Sequence, residues 1–183
     1  MRIILLTVFT GFAFLSLTPT ATIYKTVKST LAFSSEAPME LIKAESEKMV
    51  GLINTEKKTF AFQVSVISFE GFNSDLQREH FNENYMESTK YPKLKFVGKI
   101  LDDVNFSTLT SQDVEIEGKL DVHGISSPRK LKAQIKRVGE TLTVTCEFKV
   151  NLADHNISIP TIVNQKLAKV INVSVRADLK PKV

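Results

Sequence analysis

The sequence predicts an all-β, antiparallel fold, and three observations carry that prediction. Segment after segment alternates apolar and polar residues with the period of two that a strand imposes. Turn signals such as "NTEKK", "HGISSP" and "RVGET" separate these segments. The alternation breaks for a helix-like stretch in one region, residues 73 to 92. Strands with one apolar face suit either a sandwich or a closed barrel, and periodicity alone leaves both open.

The strands follow in order. The first lies near Thr22 to Phe33 and the second near Leu41 to Asn54. "FAFQVSV" puts Phe60, Phe62, Val64 and Val66 on one face, and "KLKFVGKI" occupies 93 to 100. "VEIEGKLDVHG" offers Val114, Ile116, Leu120 and Val122 around Gly118. "KLKAQIKR" sets Leu131, Ala133 and Ile135 against lysines and Gln134. "LTVTCEFKVNL" puts Leu142, Val144, Cys146, Phe148, Val150 and Leu152 on one face, and "INVSVRADL" does the same with Ile171, Val173, Val175, Ala177 and Leu179. That makes about eight strands.

The break begins with Asn73, Ser74 and Asp75, all good helix N-caps. A short helix over about 75 to 87 follows, ending before the Pro92 bend. Glu79, Glu83 and Glu87 stack at four-residue intervals, which is mildly unfavourable, so tertiary contacts must hold it.

"MRIILLTVFTGFAFLSLTPTA" has Arg2, then an apolar run from Ile3 to Leu17, then small residues. This is the layout of a secretory signal peptide, shorter than the roughly 20 apolar residues that span a bilayer. The reading is a signal peptide at 1–21 and one domain at 22–183, periplasmic or secreted.

The whole chain carries 24 basic and 20 acidic residues, for a net charge of +4. That is too weak for a nucleic-acid footprint, and no basic cluster supplies one. Cys146 is the only cysteine, so no intramolecular disulfide exists, and its place in an apolar alternation reads as a small core residue. The histidines, His80, His123 and His155, are too far apart for the usual zinc spacing. No G-x-S-x-G elbow or glycine-rich phosphate loop occurs. His80 beside Glu79 and Glu83 fits a helix surface, and His123 before Gly124 fits a hairpin residue whose ring hydrogen-bonds locally. No catalytic residue, metal ligand or cofactor is expected.

In combination, "REHFNENYMESTKYPKLKF", then "EGKLDVHGISSPRKL", then a terminal alternating strand resemble the YceI-like proteins. "MVGLIN" with "FAFQVSVISFE", and "NLADHNISIP", resemble further pieces of that family in the same order. The resemblance covers about residues 22 to 180. It implies an exported, lipocalin-like antiparallel β-barrel of about eight strands with one short helix between strands. It also implies a long apolar chain, such as a polyprenyl phosphate or a quinone, in an elongated lumen. The first strand lacks the family's frequent acid–histidine opening, and "FNENYMESTKYP" is tighter than the commoner segment, which leaves the ligand open.

An eight-stranded barrel is just wide enough to be filled by its own side chains or to hold one slim ligand. Nine phenylalanines follow residue 21, and they could plug or line the lumen. Strand face alone nominates Phe33, Phe60, Phe62, Phe81, Tyr85, Phe96, Val144, Cys146 and Phe148 as lumen or lid residues, with plain core as the other reading of each. The expected partner is a long-chain isoprenoid or other apolar lipid, with transient membrane contact and no nucleic acid. Oligomeric state is left open, a dimer included. The alternative is a packed barrel acting through its surface as an envelope stress or protein-interaction module.

Overall fold

The computed structural model describes residues 23–182; the expected signal peptide, residues 1–21, lies outside them. Nine strands form one antiparallel sheet: β1 (Ile23–Glu36), β2 (Leu41–Ser46), β3 (Val50–Asn54), β4 (Thr59–Ser65), β5 (Lys93–Ile100), β6 (Ser111–Val122), β7 (Ile125–Val138), β8 (Thr141–Asn151) and β9 (Val170–Pro181). β1 pairs with β9, from Tyr24↔Pro181 to Ser34↔Asn172, and this pairing closes the sheet into a barrel.

The nine strands occupy eight positions in the wall, because β2 and β3 both pair with β1 and form one interrupted strand. The interruption reverses the inward face. Ile42, Ala44 and Ser46 are buried on β2, then Met49, Gly51 and Ile53 on the β3 side. β1 makes the matching change across from it. A bulge between Thr26 and Lys28 adds a residue, so Tyr24 faces inward before it and Ser29, Leu31, Phe33 and Ser35 face inward after it. The buried Ser29 hydroxyl donates to the Met49 carbonyl at 2.8 Å, satisfying an acceptor that the interrupted ladder leaves free.

One end of the barrel is packed solid. Tyr24, Ile53, Phe60, Ile100, Val114, Ile135, Leu142 and Leu179 meet there, and Val104 and Phe106 fold in from the β5–β6 connection. The other end is covered by two connections, residues 66–92 and 152–169. In the first, α1 (Asp75–His80) begins at Ser74, whose hydroxyl accepts from the Gln77 amide at 3.2 Å, while the Gln77 side chain accepts from the Asn73 amide at 3.0 Å. The expected helix over 75 to 87 is α1 followed by a wider π-helical turn, Phe81–Tyr85, which re-aims Phe81 toward the barrel.

Candidate ligand-binding lumen

The inward-facing residues are not uniformly buried. On β8, Leu142 is fully buried and Val150 nearly so, but Val144 and Phe148 between them remain half-buried. The same holds for Leu31 and Phe33 on β1, Phe62 on β4, Leu94 and Phe96 on β5, Leu131 on β7, and Val173 and Val175 on β9. Inward residues that stay accessible enclose space, and the barrel contains a cavity of about 220 Å³. Its wall is apolar; Lys95 is the one charged residue among those that line it. The lining positions Val144 to Val150 on β8 cover roughly 15 Å along the barrel axis, at the usual rise and strand tilt.

Three glycines make that space. On the inward face of β3, Gly51 lies under the Phe62 ring, and a Cβ there would overlap the ring. Gly98 and Gly118 face each other across β5 and β6, so close that a Cβ on either would strike the opposite backbone, and Phe96 lies beside Gly118. Phe62 and Phe96 can therefore lie against the wall. Phe60 joins them, its ring centroid 5.1 Å from that of Phe96 and 6.1 Å from that of Phe62.

A second aromatic group closes the lid side. Phe81 stacks on Phe33 at 5.4 Å and 21°, and also meets Phe72 at 5.1 Å and Phe69 at 5.8 Å. The nine nominated residues, Phe33, Phe60, Phe62, Phe81, Tyr85, Phe96, Val144, Cys146 and Phe148, all line the one cavity. The phenylalanines thus divide: Phe72 and Phe106 pack the ends, and the others line the space. Leu31, Leu131, Val175, Ile157 and Leu167 also line it. Leu131 and Val175 shared the inward faces already legible, but the bulge hid Leu31, and Ile157 and Leu167 belong to a connection without periodicity.

Cys146 is buried, its thiol donates to the Lys132 carbonyl at 3.2 Å, and burial pushes its pKa up to about 11, with Glu147 adding to the shift. It has the chemistry of a wall residue. His80, Glu79 and Glu83 point into solvent. Among the described residues, no three His, Cys, Asp or Glu side chains cluster as metal ligands would.

The sequence expectation for His123 needs correction. His123 (φ 50°) and Gly124 (φ 73°) are the two central residues of the β6–β7 hairpin, both left-handed as a type I′ turn requires. The ring, however, does not bond locally. Nε2 meets the Glu87 carboxylate at 2.7 Å and Nδ1 meets the His155 carbonyl at 3.0 Å, residues 36 and 32 positions away. The Tyr91 ring packs edge-on at 4.7 Å from it and over Gly124, where a Cβ would clash. His123 thus ties both lid connections to the hairpin. His155 itself is fully buried with neither ring nitrogen in a hydrogen bond. Burial holds its pKa below the ordinary value, and the nearby backbone of Ile125 opposes this only in part.

Known proteins resemble this architecture. A polyisoprenoid binding domain from Saccharophagus degradans, implicated in plant cell wall breakdown, aligns with a TM-score of 0.75 at 16% identity, covering 87% of this chain and 98% of that one. Burkholderia cenocepacia BcnA aligns at 0.69 and 13% identity, covering 82% and 95%. The Campylobacter jejuni YCEI protein aligns at 0.58 and 16% identity over the whole of both chains. No curated protein matches the sequence. At these identities the structural likeness establishes the fold. The YceI-like domain matches residues 20–179. With a closed barrel, a single short helix between strands and a sequence match over nearly its whole length, this chain belongs to the YceI-like family.

Proposed function

We propose that this protein is an exported lipid-binding protein that holds one long apolar chain, an isoprenoid, in its lumen for carriage or storage. The observation that carries the reading is the cavity: an apolar space inside a closed barrel, with half-buried phenylalanines on its wall. Burying a hydrocarbon chain there is worth about 25 cal/mol per Å² of apolar surface removed from water. A ligand that gains only this must be long, slim and nearly free of polar groups, because the wall offers almost no hydrogen-bond partners. The binding of polyisoprenoid by a fold relative, and membership of the family, favour an isoprenoid over a straight acyl chain. The roles of Phe33, Phe60, Phe62, Phe81, Tyr85, Phe96, Val144, Cys146 and Phe148 are to line the chain's path and, for Phe81 and Tyr85, to cover it.

In this reading residues 1–21 direct export and are removed, leaving 22–183 in the periplasm or outside the cell. The N-terminal pattern of Arg2, an apolar run and small residues supports it. The protein acts by binding, without a catalytic step. The alternative, a barrel packed by its own side chains, fits poorly with inward residues that stay accessible.

The test is to express the chain in cells, purify it, extract with organic solvent and identify the extract by mass spectrometry. The expected result is stoichiometric isoprenoid, or stoichiometric uptake of added polyprenol or quinone by lipid-free protein. Failure of both would overturn the reading.

A further inference from the structure

Six exposed large apolar residues, Met39, Leu41, Ile67, Leu76, Ile162 and Val170, lie at or beside connections on the lid end of the barrel. Ile162 is the extreme case, 90% exposed in the short turn Thr161–Val163. Met39, at the β1–β2 turn, is 69% exposed, and its amide donates to the Gln165 carbonyl at 2.9 Å, which joins the two loops. Burial of neither side chain supports the fold.

The charge around them is uneven. From Asn156 to Lys169 the chain carries Lys166 and Lys169 and no acid. In the β1–β2 turn Glu36 is held by Ser34 and Asn172 and Glu40 by Gln77, all neutral partners that leave the carboxylates charged, so the cationic side of the patch is the 156–169 loop. The cores of protein interfaces are rich in aromatic residues and arginine. Residues 37–41 and 160–169 contain neither. Aliphatic tips beside lysines suit a lipid surface instead. The same connection reaches the lumen, where Ile157 and Leu167 line the cavity and Ala168 donates its amide to the buried Ser35 hydroxyl at 2.9 Å.

We propose that the 160–169 loop and the β1–β2 turn form a docking surface for an anionic bilayer. Ile162 and Met39 enter the acyl boundary, while Lys166 and Lys169 sit among the headgroups. Docking places the bilayer against the end of the barrel that the lumen reaches. The proposal stands on exposure, charge and placement, and does not depend on which lipid the lumen holds.

Among the described residues, every strand pairing and the core fall within residues 23–181, so the chain from Thr22 serves as the test protein. The sequence has no tryptophan, which makes a single introduced one a clean reporter. Ile162→Trp is mixed with vesicles of equal parts phosphatidylglycerol and phosphatidylcholine. A blue-shifted emission, quenched by brominated acyl chains, is expected. Val97→Trp, at an exposed apolar position on the barrel wall, is the control and should not shift.

In vesicle pelleting, Ile162→Asp should weaken binding about tenfold or more, as expected from removing a buried isoleucine. Lys166→Gln with Lys169→Gln should weaken it by a similar factor and abolish its salt dependence. Lumen loading is measured separately by extraction, so its failure and the failure of docking are distinguishable. An unshifted Ile162→Trp emission, an equal shift at Val97→Trp, or pelleting unaffected by Ile162→Asp would each overturn the proposal.

Discussion

The His123 imidazole and the Glu87 carboxylate meet at 2.7 Å, and both residues hold left-handed backbone conformations, φ 50° and φ 43°. Two non-glycine residues in that region carry a conformational cost of order 1–3 kcal/mol each. Their hydrogen bond, with the His123 bond to the His155 carbonyl, offsets this cost and fixes the lid to the β6–β7 hairpin. His123→Asn tolerates the positive φ but cannot span the same contacts. It should lower stability by about 1–3 kcal/mol. Hydrogen exchange should show the loss of protection concentrated in residues 81–92, while the strands keep theirs.

Gly51→Ala should push the Phe62 ring off the wall and into the lumen. Overpacking of this kind costs about 1–3 kcal/mol. The decisive readout is capacity: bound lipid per barrel should fall well below that of the parent, and a solved structure should show Phe62 displaced.

Val144→Phe fills lumen space from the opposite wall, beside Ile135 at the edge of the packed end. Stability of the lipid-free protein should change by less than about 1.5 kcal/mol. Uptake of a long polyprenol should drop at least tenfold, measured by extraction after equilibration with excess lipid.

Cys146 reports on entry to the lumen. With its pKa raised to about 11, the thiol is almost wholly protonated at pH 8. A polar disulfide reagent should modify it far more slowly in the folded protein than after denaturation, and bound lipid should slow it further. Rapid labelling in the folded, lipid-loaded state would show that the wall opens at β8.

Acid should destabilise the barrel through His155. Its folded pKa lies below the ordinary value of 6.5, so the unfolded chain binds the proton more tightly. Its contribution is fully present above about pH 6.5 and is lost as pH falls from there toward the folded pKa. His155→Leu should flatten the fall in thermal midpoint across that window, as calorimetry of variant and parent over the same buffers will measure.

The later strands were legible because nothing interrupts their period: Leu142 to Val150 and Ile171 to Leu179 keep one face inward throughout. β1 was not, because the bulge beside Val27 moves the inward set from Tyr24 to Ser29, Leu31, Phe33 and Ser35, and a fixed period of two cannot follow that switch. β2 and β3 read as one strand for the same reason in reverse, since the chain turns between Ser46 and Val50 while staying in one wall position. Aromatic residues on regular strands pointed to the lumen. The tie between His123, Glu87 and His155 could not be read at all, since its partners are brought together only when the barrel closes.

The seam between β1 and β9 has a consequence for how the chain reaches this state. Apart from that seam, each wall strand pairs only with the neighbours that flank it in sequence, so most of the sheet can zip up locally. The last joint links Tyr24 to Pro181 across nearly the whole described chain and must wait for β9 to arrive. Without that seam the sheet would have two unpaired edges and its apolar face in water. Closing the ring is therefore the pairing with the largest loop-closure cost, and the lumen exists only when that one seam is made.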